Sequence, residues 1–284
     1  MKKIRIFLSG ENGLLGSAVL SRLDKSKCQI IPLNCDITDQ KALSKLSEWL
    51  SDIDVIIHAA AITDVKLCEE NQKLAYSVNV LGTRNMRMLA EKLSSKLVYI
   101  STASVFLGEN GDYKESDFPY PKSYYDLTKY LGEQIVSEYE KSIIIRTNII
   151  GVHNKKSYNP NFFEWVLQSA QSNRDMTLYN DVFINPLSCQ TLADLVLKII
   201  ASKKNIRVIH LGSRDRLSKA AIAKLIISKV KGYNGTVKLA SVDAGGTQRP
   251  KNMWLNVNYA DKILGMNMPS ISNEIDRIFE ELNK

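Results

Sequence analysis

Ile4-Arg5-Ile6-Phe7-Leu8-Ser9-Gly10-Glu11-Asn12-Gly13-Leu14-Leu15-Gly16 decides the fold. A short run of apolar and β-favouring residues leads directly into glycines spaced GxxGxxG, and helical periodicity begins before the last of them. This is a strand, a tight turn and a helix start, the arrangement that cradles a pyrophosphate. Gly10 permits the turn, Gly13 lets backbone approach the phosphates, and Gly16 lets the helix pack closely. The free N–H groups of the first helical turn then face anionic oxygens. Gly10, Asn12, Gly13, Leu14 and Leu15 are therefore candidate dinucleotide-binding residues. The bland alternative is a glycine-containing turn with no ligand.

Outward from this unit, short β-branched runs alternate with longer amphipathic stretches. Strands are expected at 4–8, 29–33, 55–57, 97–100, 143–145 and 208–211, and helices at 14–23, 74–93 and 124–139. The pattern predicts an α/β protein: a Rossmann doubly wound parallel sheet with a smaller C-terminal substrate-binding α/β domain. After Gly151 the chain turns polar through His153-Asn154-Lys155-Lys156-Ser157-Tyr158-Asn159-Pro160. A domain crossing is placed there. The dinucleotide-binding domain is expected over 1–150 with a return near 186–215, and the smaller domain over 151–185 and 216–284.

Composition narrows the function classes. The 284 residues are 44% hydrophobic and 24% charged, ordinary usage for a folded globular protein. Four cysteines at no repeating spacing and three lone histidines suggest neither a disulfide framework nor a metal site. The N-terminal apolar run is too short for a signal peptide and no segment reaches membrane-spanning length, so a cytoplasmic location is expected. A net charge of +8 is scattered along the chain. It favours a small anionic substrate over nucleic acid, for which no basic arm is present.

Asp36-Ile37 lies shortly after the second expected strand, where a carboxylate can accept from an adenine amino group and the apolar residue can line the ring. The alternative for Asp36 is a turn residue; Asp39 is a good helix N-cap in its own right. At the strand end, where an acid selects NAD by holding the ribose 2′-hydroxyl, the chain has Asn34. The cofactor is expected to be NADP or NAD, with NADP favoured.

Tyr125-Asp126-Leu127-Thr128-Lys129 places a phenol and an ammonium at i and i+4, on one face of a helix. A nearby ammonium is expected to lower the tyrosine pKa and make it a usable acid or base. With 12 tyrosines in the chain, such a spacing arises about once by chance. Thr102 strengthens it. This hydroxyl stands at the end of the strand one βα unit upstream, at the sheet edge where α/β proteins bind ligands, and can address the same carbonyl oxygen as Tyr125.

Together with Asp54-Val55-Ile56-Ile57-His58-Ala59-Ala60-Ala61, Asn79-Val80-Leu81-Gly82-Thr83-Arg84-Asn85, Arg146-Thr147-Asn148-Ile149-Ile150-Gly151, Asp181-Val182-Phe183-Ile184-Asn185-Pro186 and Arg249-Pro250-Lys251-Asn252, these motifs carry a resemblance. The chain resembles the extended short-chain dehydrogenase/reductases, specifically the dTDP-4-dehydrorhamnose reductase family, nearly end to end. The resemblance implies NAD(P)H-dependent reduction of a nucleoside-diphosphate 4-keto-6-deoxysugar. It makes Thr102, Tyr125 and Lys129 the catalytic triad, with Tyr125 and Lys129 also meeting the cofactor. It makes Ala59, Ala60 and Ala61 the cofactor floor and Asn79 a support of the site. It places Thr102, Ser104, Asn148 and Arg249 beside the substrate. The expected partners are a nucleotide-sugar substrate and a second copy of the chain in a homodimer.

The chain also departs from the family. Ala103-Ser104 stands where an Asp-Tyr pair is usual, and Ile149 where tryptophan is common. Metal-bound glutamates that join subunits in some members match Ala18 and Gln190, so a metal-linked dimer is not expected. Two other functions remain open on this fold: a nucleotide-sugar epimerase, and a non-catalytic NADP-binding regulatory subunit similar to the β subunit of methionine adenosyltransferase.

Overall fold

The computed structural model describes residues 3–32, 35–50, 52–154, 159–202, 204–245 and 250–283. The chain divides into two compact units. One comprises residues 1–106, 118–146 and 193–209; the other comprises 107–117, 147–192 and 210–284. The excursion at 107–117 lies between two segments of the first unit, and the alternation of strand and helix patterns gives no sign of it.

The first unit opens with β1 (Ile4–Ser9), α1 (Leu14–Arg22), β2 (Cys28–Pro32), α2 (Gln40–Trp49) and β3 (Val55–His58). Next come α3 (Val65–Glu70), α4 (Gln72–Tyr76), a π-helical turn at Ser77–Gly82, α5 (Thr83–Lys92) and β4 (Lys96–Ile100). It continues with α6 (Tyr124–Ser137) and β5 (Ser142–Thr147), whose last residue begins the second unit. The expected helix at 74–93 is thus broken by a wider turn. Its hydrophobic pattern does not register this, because one inserted residue shifts the phase without changing the composition.

The sheet order is β10-β5-β4-β3-β1-β2, where β10 (Val208–Leu211) is an edge strand. The β1–β2, β1–β3, β3–β4 and β4–β5 pairs are parallel. Read from β2 the order is 2-1-3-4-5 with β10 outside β5, a doubly wound sheet in a Rossmann-like α/β fold. All four residues of β3 are buried, as helices on both faces of a parallel sheet require. Phe7, Ile56, Met86, Leu89, Leu97, Tyr99 and Val136 share one core cluster. From β1 the chain passes to β2 on one side and then crosses to β3 on the other side of β1, so the carboxyl ends of β1 and β3 flank the topological switch point.

The second unit holds β6 (Ile149–Ile150), α7 (Phe162–Gln171), β7 (Met176–Tyr179), β8 (Phe183–Ile184), β9 (Leu187–Ser188) and the start of α8 (Cys189–Ala201). It ends with β11 (Leu217–Ser218), α9 (Lys219–Ser228), β12 (Val237–Ala240), α10 (Asn258–Leu264) and α11 (Ile271–Leu282). Its strands form three two-stranded pairings, β11–β8, β12–β7 and β6–β9. Its own core gathers Phe163, Leu178, Ile222, Ile226, Ile271 and Ile275. Among the described residues no helix is long and apolar enough to cross a membrane.

Candidate active site

The glycines of the first turn answer to different constraints. Gly10 has φ +79°, and a Cβ there would lie 2.6 Å from the backbone nitrogen of Ala60, so both conformation and space demand glycine. A Cβ on Gly16 would run into the Gly10 carbonyl. Gly13 differs. It caps α1 with φ −77° and ψ 174°, no side chain closes the helix end, and an added Cβ would meet only the Gly10 oxygen, at 3.3 Å. Gly13 is thus far less constrained by the fold than Gly10 or Gly16, and a ligand drawn close to the helix N-terminus is the stronger reason for glycine there. This cradle therefore fits the pyrophosphate of a dinucleotide.

Next to it, the ends of β1 and β3 are joined through polar side chains. Ser9 Oγ lies 2.7 Å from His58 Nδ1, and His58 Nε2 lies 3.0 Å from Thr83 Oγ1. Thr83 in turn donates to the Asn79 carbonyl at 2.6 Å. A carbonyl can only accept, so the threonine proton is committed to it and His58 Nε2 must donate to Thr83. Nδ1 then accepts from Ser9, whose oxygen accepts from the Ala60 N–H at 3.5 Å. Burial first, and then the charge of Lys129, hold the His58 pKa down to about 3, so the ring stays neutral. Composition-level reading passed over this histidine. The signal was there: a lone polar residue ending an otherwise apolar strand.

A reciprocal capping box starts α6. Ser123 Oγ accepts from the Asp126 N–H at 3.1 Å, and the Asp126 carboxylate accepts from the Ser123 N–H at 3.0 Å. That fixes where the helix begins and so aims Tyr125 and Lys129. Thr102, at the end of β4, accepts from the Ser104 N–H at 3.1 Å and caps the short 3-10 turn Ala103–Val105. That contact leaves its proton unused, and the Thr102 hydroxyl lowers the pKa of the Tyr125 phenol.

Burial outweighs this and, with Asp126 adding to it, pushes the Tyr125 pKa above the ordinary tyrosine value. The expectation that Lys129 would lower it is corrected. Lys129 Nζ donates to the Ile100 carbonyl at 2.7 Å and sits 4.1 Å from the centre of the Tyr99 ring. Burial lowers its own pKa to about 7, against the opposing pull of Glu133. Tyr125 is accordingly a proton holder at neutral pH, and Lys129, one helical turn on, is an amine whose burial disfavours its charge.

Residues 4–284 match the RmlD substrate binding domain family. The chain belongs to that family. A probable low-salt glycan biosynthesis reductase of Haloferax volcanii is 27% identical over 289 residues, covering 95% of each chain. A dTDP-4-dehydrorhamnose reductase from Bacillus anthracis, solved in complex with NADP, superposes with a TM-score of 0.90 at 29% identity over 99% of this chain and all of that one. A dTDP-4-dehydrorhamnose reductase orthologue from Clostridium acetobutylicum gives 0.89 at 27%, with 99% and 100% covered.

Within this RmlD-family chain the remaining expected site residues are placed as follows. Ala59, Ala60 and Ala61 continue from β3 and are partly exposed. Leu15 is buried, leaving its helix-start backbone as the part able to face a ligand. Asp36 is exposed, with Oδ1 accepting from the Thr38 N–H at 2.8 Å and the Thr38 hydroxyl at 2.9 Å. Ile37 packs into the core, close against Gly82. Asp39 caps α2 as expected, accepting from the Ala42 N–H at 2.9 Å. Asn148 belongs to the second unit, where its amide donates to the Met253 carbonyl at 2.8 Å. Asn34 and Arg249 lie outside the described residues.

Proposed function

We propose that the chain is an NADPH-dependent reductase of a nucleoside-diphosphate-linked 4-keto-6-deoxysugar. The observation that carries the proposal is the placement of Tyr125 and Lys129 one turn apart on the capped helix α6, with Lys129 Nζ bonded to the Ile100 carbonyl at the end of β4, two residues before Thr102. Thr102 follows β4 and the glycine cradle follows β1, both at the carboxyl end of the parallel sheet, where such folds bind ligands. One NADP-binding structural relative and a family of reductases supply the reaction class.

In this reading Gly10, Asn12, Gly13, Leu14 and Leu15 hold the pyrophosphate, with Asp36 and Ile37 toward the adenosine. Ala59–Ala61, supported by Asn79, form the floor beneath the cofactor, and Tyr125 and Lys129 its nicotinamide end. Bound NADPH supplies the hydride. Thr102 donates a hydrogen bond to the substrate carbonyl oxygen and Tyr125 gives that oxygen its proton as the hydroxyl forms. A phenol that retains its proton through neutral pH suits this reductive direction. The phenolate left behind is stabilised by Lys129 in its charged form. Ser104, Asn148 and Arg249 are assigned to the sugar nucleotide, Arg249 through two parallel hydrogen bonds to diphosphate oxygens. Ala103-Ser104 stands where an Asp-Tyr pair is usual, and the smaller side chains support preference for a bulkier keto-sugar over the rhamnose precursor. The same reading places the enzyme in the cytosol and allows a homodimer.

The test is a panel of nucleotide-linked keto-sugars assayed by loss of NADPH absorbance. Turnover of at least one member, with Arg249→Ala raising KM several-fold and leaving NADPH affinity unchanged, is the expected result. NADPH binding with no turnover of any member would instead favour a regulatory subunit.

A further inference from the structure

Glu133 stands on α6 one turn beyond Lys129 and two beyond Tyr125, on the same helical face, and is almost wholly buried. Its carboxylate is fully engaged. Oε1 accepts from the Ser101 hydroxyl at 2.5 Å and from Arg146 Nε at 2.9 Å, and Oε2 accepts from Arg146 Nη2 at 2.7 Å. Arg146, on β5, lays its guanidinium over the Phe106 ring at 5.0 Å. Ser101 immediately precedes Thr102, so one carboxylate ties the helix that carries Tyr125 and Lys129 to the strand end that carries Thr102. Gly132 makes the approach close, because a Cβ there would strike the Tyr99 hydroxyl.

A buried arginine–carboxylate pair is the bland reading, and stability gives little reason for one here: apolar residues of similar volume commonly serve as well. What an apolar pair could not do is face Lys129 with a negative charge. From β3 the lysine meets His58, which is neutral, and from β4 the neutral Tyr99 ring. Tyr125 on its own helix keeps its proton. Glu133 is the acidic group that favours its charged form.

We propose that Glu133 is a positioning residue of the reductase site, its carboxylate holding the Ser101–Thr102 strand end against α6 and setting a negative charge one helical turn from Lys129. The proposal rests on the reductase reading for its catalytic consequence, but not for its first measurement.

Protein labelled with ¹³C at the lysine Cε is titrated without cofactor, with the Lys129 resonance assigned by its loss in Lys129→Met. In Glu133→Gln the Lys129 transition should move down by about one pH unit or more. Glu133→Asp keeps the charge on a shorter arm, so the transition should return toward that of the parent while kcat falls through loss of the Ser101 contact. Because Gln leaves Arg146 without its charge partner, Glu133→Gln/Arg146→Met provides a second variant should the single one fail to fold, and its Lys129 should titrate below that of Arg146→Met alone. With a reducible keto-sugar, the alkaline limb of kcat should shift to lower pH in Glu133→Gln, since the lysine loses its proton sooner. A Lys129 transition identical in parent and folded variants overturns the proposal. A shifted transition with no turnover of any keto-sugar supports Glu133 and defeats the reductase reading instead.

Discussion

Asn79 clamps Ile62 at both of its backbone groups, accepting from the N–H at 2.8 Å and donating to the carbonyl at 3.0 Å. Its second amide proton goes to Thr128 Oγ1 at 3.0 Å. Ile62 follows Ala61 directly, and Thr128 precedes Lys129. One buried amide, set in the π-helical turn, therefore fixes the segment after β3 and the helix of the tyrosine and lysine together. Asn79→Ala leaves two backbone groups of Ile62 without these partners. Each such loss costs roughly 1–3 kcal/mol where water cannot substitute. A clear fall in Tm, accompanied by weaker NADPH binding, is expected from calorimetry of parent and variant.

Gly10 and Gly13 separate folding from binding. Valine at Gly10 must adopt a positive φ and enter the backbone of Ala60, so Gly10→Val should express poorly or melt far below the parent. Valine at Gly13 meets an ordinary extended conformation and one tight contact, to the Gly10 oxygen at 3.3 Å, so Gly13→Val should fold at a modest cost in Tm. NADPH in saturating excess should raise the Tm of the parent by mass action and leave that of Gly13→Val unmoved. An equal shift in both would remove the phosphate cradle from Gly13.

Tyr125→Phe keeps the ring and deletes the proton. NADPH affinity and Tm should stay near parental values, while kcat on a verified keto-sugar falls by roughly 10²–10⁴. Undiminished turnover in this variant would take the proton transfer away from Tyr125.

Spacing made the glycine turn and the Tyr125–Lys129 pair readable, because both depend on local geometry: a strand-to-helix turn and one helical repeat. The six strands of the main sheet were readable from their β-branched runs, to within one or two residues at the ends. The two-residue strands β6, β8, β9 and β11 were not, since pairing that short leaves no periodic trace. Orientation was the harder loss. Sequence puts an ammonium one turn from a phenol, yet which way Lys129 Nζ turns depends on the Ile100 carbonyl and the Tyr99 ring, brought near by another strand. Glu133 and Arg146 escaped for the same reason: thirteen residues apart on a helix and a strand, they meet only after the sheet has formed.

Lys129 also sets a measurable conflict between stability and activity. The folded protein holds its pKa near 7 by burial, whereas an exposed lysine has the ordinary 10.5. Between those values the unfolded chain binds a proton that the folded chain does not, so this residue makes stability rise with pH across that window. Below about pH 7 the folded protein carries the full cost of a desolvated ammonium; above about pH 10.5 it carries none. Lys129→Met removes that cost and also the hydrogen bond to Ile100, which as a neutral amine the parent still makes at high pH. A net hydrogen bond contributes only about 1 kcal/mol, less than the depression of the lysine pKa implies. The methionine variant should therefore melt above the parent at pH 6, lose its advantage as the pH rises, and fall level with or below the parent beyond pH 10, while its turnover is abolished or severely reduced throughout. A Tm at pH 6 below that of the parent would show that Lys129 is not held against its solvation in the folded protein.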